Sequence, residues 1–109
     1  MTNEKPSKMK SSIFRVYILL CDNGSYYTGY TNDLEKRYQS HIDGTARCKY
    51  TRSFKPIRIA QCWQITDSKS LAMQIEKQVK KLPRLEKEKM INNPLLLSND
   101  PRVSVYRQL

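Results

Sequence analysis

No stretch of this chain is apolar for long enough to cross a bilayer. Acidic residues are scarce: ten Asp and Glu stand against twenty Lys and Arg, a formal net charge of +10 in 109 residues. The cysteines number three, at positions 21, 48 and 62, and no C-x-x-C pair exists. The first lack argues against a membrane-spanning helix. The last argues against a disulfide framework or a cysteine-built zinc site. Cys21 and Cys62 fall in apolar strand patterns and read as core thiols. The segment from Met1 to Ser12 is polar and lysine-bearing, with no apolar signal-peptide run after it, so a cytoplasmic location is expected.

What is abundant is positive charge. An excess this large repels the compact state, and the commonest partner that offsets it is an anionic polymer. A membrane surface would call for a basic amphipathic helix with apolar bulk opposite, and none stands out. Nucleic acid is therefore the expected partner, with no membrane.

The length suggests one domain. Residues 1–12 read as a disordered basic tail. Ile13 to Cys21 is rich in β-branched and aromatic residues and reads as a strand. Asp22-Asn23-Gly24 is a turn signal, and Ser25 to Thr31 completes a hairpin. Asn32 or Asp33 caps a helix in which Leu34, Tyr38, His41 and Ile42 recur at helical spacing, and Gly44 ends it. Residues 45–56 read as a loop. Ile57 to Ile65 is a third strand. Asp67 or Ser68 caps a second helix with an apolar stripe of Leu71, Ile75, Val79 and Leu82. A third, short helix starts at Pro83 and is stopped by Pro94. Residues 13–94 are the expected domain, and 95–109 an extension that docks or adds an edge strand through Val103 and Val105. The order β-β-α-β-α-α predicts a small α+β fold, with helices flanking a mostly antiparallel three-stranded sheet.

Several of these segments together carry a resemblance. Val16-Tyr17, then Tyr27-Thr28-Gly29, then Leu34 to His41, with Glu76 on the second helix, resemble the GIY-YIG nuclease superfamily. The resemblance spans about residues 13 to 91. It is nearest to the small stand-alone bacterial proteins of that superfamily, which share Lys49-Tyr50-Thr51-Arg52 and Lys80-Lys81-Leu82. It implies a catalytic set of Tyr17, Tyr27, Arg37, His41 and Glu76, with Glu76 holding one divalent ion, Mg²⁺ or Mn²⁺. Gly29 is the family's glycine, where a backbone must come close to another element. The chain departs from the pattern at Arg15, where the first glycine of the motif would stand. It departs again at Tyr30, where repair nucleases of the superfamily often carry lysine.

Physical chemistry can test whether these residues meet. Arg37 and His41 are one helical turn apart and share a face. Glu76 lies about 90° from the middle of its helix's apolar stripe, at about 100° per residue, which puts it on the rim. The hairpin register decides the rest. A two-residue Asn23-Gly24 turn sets Tyr17 and Tyr27 on opposite sheet faces. A three-residue loop with left-handed Gly24 pairs Cys21 with Ser25 and makes the tyrosines diagonal neighbours on one face. Only the second assembles a site, so it is the expected one. Attack on a phosphodiester builds negative charge, which Arg37 and a cation at Glu76 would offset. Tyr17 is the expected activator of water and Tyr27 its orienter, though the two can exchange roles. His41 is either the base or an orienting group.

Arg47, Lys49, Arg52 and Lys55, with Tyr50 among them and Lys80 on the second helix, form the expected nucleic-acid surface: cations for phosphates and a ring for unpaired bases. No helix has the look of a base reader, so structure-specific rather than sequence-specific DNA cleavage is expected, on branched or single-stranded forms. The alternative is a weakly active or inactive nucleic-acid-binding module on the same scaffold. A third reading is an adaptor or homodimer that uses residues 95–109 as its contact.

Overall fold

The computed structural model describes residues 13–107, so the expected tail at 1–12 lies outside the described residues. Its centre is strand β1 (Ile13–Cys21), flanked by β2 (Tyr26–Thr31) and β3 (Pro56–Thr66), with β4 (Val103–Val105) beyond β3. The order is β2-β1-β3-β4 and every pairing is antiparallel. Four helices complete an α+β fold: α1 (Leu34–Asp43), α2 (Lys49–Ser53), α3 (Lys69–Lys80) and α4 (Arg84–Asn92). A single 3₁₀ turn follows at Pro94–Leu96. Among the described residues, no helix is long and apolar enough to cross a membrane.

Two sequence expectations need correction. The sheet has four strands, not three: the edge strand that Val103 and Val105 offered as one option for the C-terminal extension is formed, and it pairs with Trp63–Ile65. The expected loop at 45–56 contains α2, five residues that enter from extended Cys48 and are anchored by fully buried Thr51. One helical turn has no periodicity to read.

The helix caps follow from local chemistry. The Asp33 carboxylate accepts from the Lys36 N–H at 3.2 Å to start α1, and left-handed Gly44 ends it. The Ser68 hydroxyl accepts from the Leu71 N–H at 3.0 Å to start α3. In the hairpin, the Cys21 N–H donates to the Ser25 carbonyl and the Gly24 N–H to the Cys21 carbonyl, both at 2.9 Å. Gly24 has a φ of 82°, so the loop is the three-residue type with its third residue left-handed. Leu19 thus faces Tyr27, and Tyr17 faces Gly29.

The sheet has two unlike faces. On one, Val16, Ile18, Trp63 and Ile65 pack against Ala72, Ile75 and Val79 of α3 and against Leu97. Trp63 donates its indole N–H to the Pro94 carbonyl at 2.9 Å, which ties the chain after α4 to this core. On the other face, Tyr17, Leu19 and Cys62 pack against Leu34 of α1, with Tyr27, Tyr38, Ile59 and Tyr106 around them. Cys21 and Cys62 are both buried and unbridged, as their strand positions suggested.

Candidate active site

The second face becomes polar toward β2. Tyr17 is buried in mid-strand, and its hydroxyl lies 3.0 Å from His41 Nε2. The Arg37 guanidinium, one turn earlier on α1, stands close enough for its charge to act on the phenol. Burial raises the Tyr17 phenol to about 12, and Arg37 pulls against that rise. The Cys48 thiol and the Glu76 carboxylate add to the rise, so both stand close enough to be felt.

The phenol also explains a glycine. A Cβ at Gly29 would lie 2.5 Å from the Tyr17 hydroxyl oxygen, so only glycine lets the ring lie across β2. That is the close approach expected of this position.

Tyr27 is the diagonal neighbour. Its ring centroid lies 5.4 Å from that of His41 and 6.2 Å from that of Tyr50, on which it stacks at 17°. Burial raises its phenol first, and the nearby Cys48 thiol raises it further. The polar groups of Thr51, Tyr27 and Tyr50 around the Cys48 thiol leave it below its ordinary value despite burial. His41 is 1% exposed, and its second nitrogen, Nδ1, lies 2.8 Å from the Thr51 hydroxyl. Burial, and after it the Arg37 charge, lowers the His41 pKa from 6.5, so the ring is neutral at pH 7.

Glu76 reaches this group from α3, with 17% of its side chain exposed. Its charge acts on both tyrosines. Lys80, one turn on, places its ammonium 3.4 Å from the carboxylate and 5.8 Å from the Tyr27 ring centroid. Tyr17, Tyr27, Arg37 and His41 are thus brought together on the sheet's second face, and Glu76, on the helix of the first face, is near enough for its charge to act on both tyrosines.

The expected nucleic-acid residues divide. Arg47, Lys49, Arg52, Lys55 and Lys80 are exposed around the site. Tyr50 is not a free ring: it is stacked on Tyr27, and its hydroxyl bonds to Ser25 and Asn23. Arg84, at the start of α4, donates to the Gly24 carbonyl at 2.6 Å and lies over the Tyr26 ring, so it braces the hairpin. Arg15, the departure from the motif, stacks on Tyr106 with its guanidinium 4.2 Å from the ring centroid. Tyr30 packs on the apolar core.

Sequence reading missed three residues. Thr51 bonds to the site from α2, the Cys48 thiol stands near Tyr27 from its cap, and Lys87 sits half-buried near Lys80 and Tyr50. Thr51 had entered only as part of the shared segment Lys49-Tyr50-Thr51-Arg52, with no role assigned to it.

Paired phenols, a neutral imidazole, a guanidinium and a rim carboxylate beside exposed lysines and arginines are groups suited to proton transfer and to holding anions. Residues 14–89 match the family described as the GIY-YIG catalytic domain. The UPF0213 protein BH0048 of Halalkalibacterium halodurans is 44% identical over 77 residues, which cover 71% of this chain and 80% of that protein. The UPF0213 protein OB0043 of Oceanobacillus iheyensis is 49% identical over 76 residues, 70% of this chain and 86% of that one. A solution NMR structure of the UPF0213 protein BH0048 is 38% identical, covers 82% of this chain and 96% of its own, and gives a TM-score of 0.48. The chain belongs to the GIY-YIG nuclease family, as a small member similar to the UPF0213 proteins.

Proposed function

We propose that this protein is a metal-dependent endonuclease that hydrolyses phosphodiester bonds in DNA by recognising structure rather than sequence. The observation that carries the reading is the gathering of Tyr17, Tyr27, Arg37 and His41 on one face of the sheet, with Glu76 near enough for its charge to act on both tyrosines. Tyr17 holds and deprotonates the attacking water. Tyr27, fixed between His41 and Tyr50, orients it. Arg37 meets the charge that grows on the phosphoryl oxygens, which its planar fork of donors suits.

Family nucleases generally use a divalent ion. Among the described residues no three His, Cys, Asp or Glu side chains gather into a metal cage. One partly desolvated carboxylate, Glu76, is nonetheless a fit for a hard cation that keeps most of its waters, Mg²⁺ or Mn²⁺. When bound there, such an ion would neutralise charge on the phosphate and the departing 3′ oxygen. Exposed Arg47, Lys49, Arg52, Lys55 and Lys80 hold phosphates on either side, with cytoplasmic DNA as the partner.

One observation favours a second reading, a binding module that does not cut. The Lys80 ammonium lies beside the Glu76 carboxylate, where it can stand in for a cation. A cleavage assay on linear, nicked, branched and single-stranded DNA separates the two. It compares Mg²⁺, Mn²⁺ and EDTA, with Glu76→Ala alongside. Metal-dependent cleavage that Glu76→Ala loses supports the nuclease. Binding without cleavage in every condition leaves the module.

A further inference from the structure

Thr51 has no part in the reaction described above, yet it is fully buried against the site. Its hydroxyl oxygen lies 2.8 Å from His41 Nδ1 and 3.4 Å from the Cys48 carbonyl oxygen. Across the ring, Nε2 meets the Tyr17 hydroxyl at 3.0 Å. Each nitrogen therefore has one hydroxyl partner, and a neutral imidazole has one proton to distribute.

Counting donors gives the direction. The Cys48 carbonyl can only accept, and Thr51 has a single proton to give. When Thr51 donates to Cys48, its oxygen is left to accept from His41, so the ring proton sits on Nδ1. Nε2 then carries a lone pair, and the Tyr17 hydroxyl donates to it. Every proton is used once. The reverse order would aim Nε2–H at the Tyr17 oxygen and leave the Tyr17 O–H without an acceptor among the described residues.

We infer that Thr51 is a positioning residue that holds His41 in its Nδ1–H tautomer, so that His41 Nε2 receives the Tyr17 proton. The inference rests on the reading of Tyr17 as the group that activates water. In the step, a water O–H proton moves to the Tyr17 oxygen while the Tyr17 proton moves to Nε2. The water oxygen forms its bond to phosphorus, the bond from phosphorus to the 3′ oxygen breaks, and that oxygen takes a proton from solvent. His41 becomes an imidazolium whose Nδ1–H still rests on Thr51, and it later returns its proton through Tyr17 to solvent.

His41 is the chain's single histidine, so nitrogen-resolved NMR of the imidazole reports this ring alone. In the full chain near neutral pH, Nδ1 is expected to be protonated and Nε2 bare. Thr51→Val, which replaces the hydroxyl with a methyl of similar shape, is expected to move the proton at least partly to Nε2. The same change lowers kcat roughly tenfold or more, with KM within about twofold. Thr51→Ser restores the tautomer and most of the rate. Protonated Nε2 in the unaltered chain, or an unchanged tautomer in Thr51→Val, overturns the inference. If the unaltered chain cuts no DNA, the nuclease reading fails instead, and the tautomer measurement still decides the role of Thr51.

Discussion

The two faces of the sheet are built on the same strand by alternate residues. Val16 and Ile18 point to a face closed by α3 with Trp63, Ile65, Ile75 and Val79, and its bonding needs end at one indole N–H. Tyr17 points the other way, to a face where, beside apolar Leu19, Leu34 and Ile59, its hydroxyl meets His41 and His41 meets Thr51. The first face is paid for in buried apolar area. The second is ordered by hydrogen bonds whose directions matter, and buried polar groups of that kind are costly to leave unmatched. Stability and chemistry are thus separated by the pleat, and a change on one face should leave the other largely intact.

The largest expected effect falls on the apolar face. Trp63→Ala removes a side chain that is 1% exposed, together with its bond to Pro94. It is expected to cost about 3–5 kcal/mol in chemical denaturation, and at temperatures where the variant stays folded the DNA-binding salt slope should be unchanged. Loss of binding in a folded Trp63→Ala protein would break the separation of the faces.

Gly29→Ala sharpens it from the other side. The new Cβ would meet the Tyr17 phenol at 2.5 Å, so the ring or β2 must shift. A cost of about 1–3 kcal/mol is expected from such overpacking. Cleavage should fall further than that loss explains, because the bond from Tyr17 to His41 is displaced. Full cleavage in Gly29→Ala would show that the ring does not need its observed position.

The smallest effect is in pH dependence. His41 is buried neutral with its pKa below 6.5, so the unfolded chain binds its proton more readily. The stability this contributes is present above pH 6.5 and is lost as pH falls below it toward the folded-state value. Denaturation at pH 7 and pH 5.5 should therefore show a modest loss at the lower pH that His41→Gln reduces. A drop of equal size in that variant would assign it to other groups.

Much of this was legible in the sequence, but unevenly. The hairpin loop, the caps at Asp33 and Ser68, and the stripe through Ile75 and Val79 rest on local chemistry and periodicity, and they appear in the structure. The second face was legible only in part. Arg37, His41 and Glu76 could be placed by helical arithmetic. Thr51 and Cys48 could not, because one turn of helix has no period and a threonine beside a histidine depends on where a loop folds back. Tyr50 looked like a free base-stacking ring because its partners, Tyr27 and Ser25, lie more than twenty residues away. β4 was legible only as one of two options for Val103 and Val105, because three residues gain their strand character from Trp63–Ile65, not from themselves.

The most direct measurement is single-turnover cleavage of a branched DNA duplex in Mg²⁺ by the full chain and by Glu76→Ala, at protein concentrations that bind the DNA equally. Expected is a metal-dependent cut by the unaltered chain and a fall of roughly 10²-fold or more in the variant, with melting temperature little changed. Equal rates in the two proteins would contradict the placing of a cation at Glu76 and, with it, the chemistry assigned to this end of the sheet.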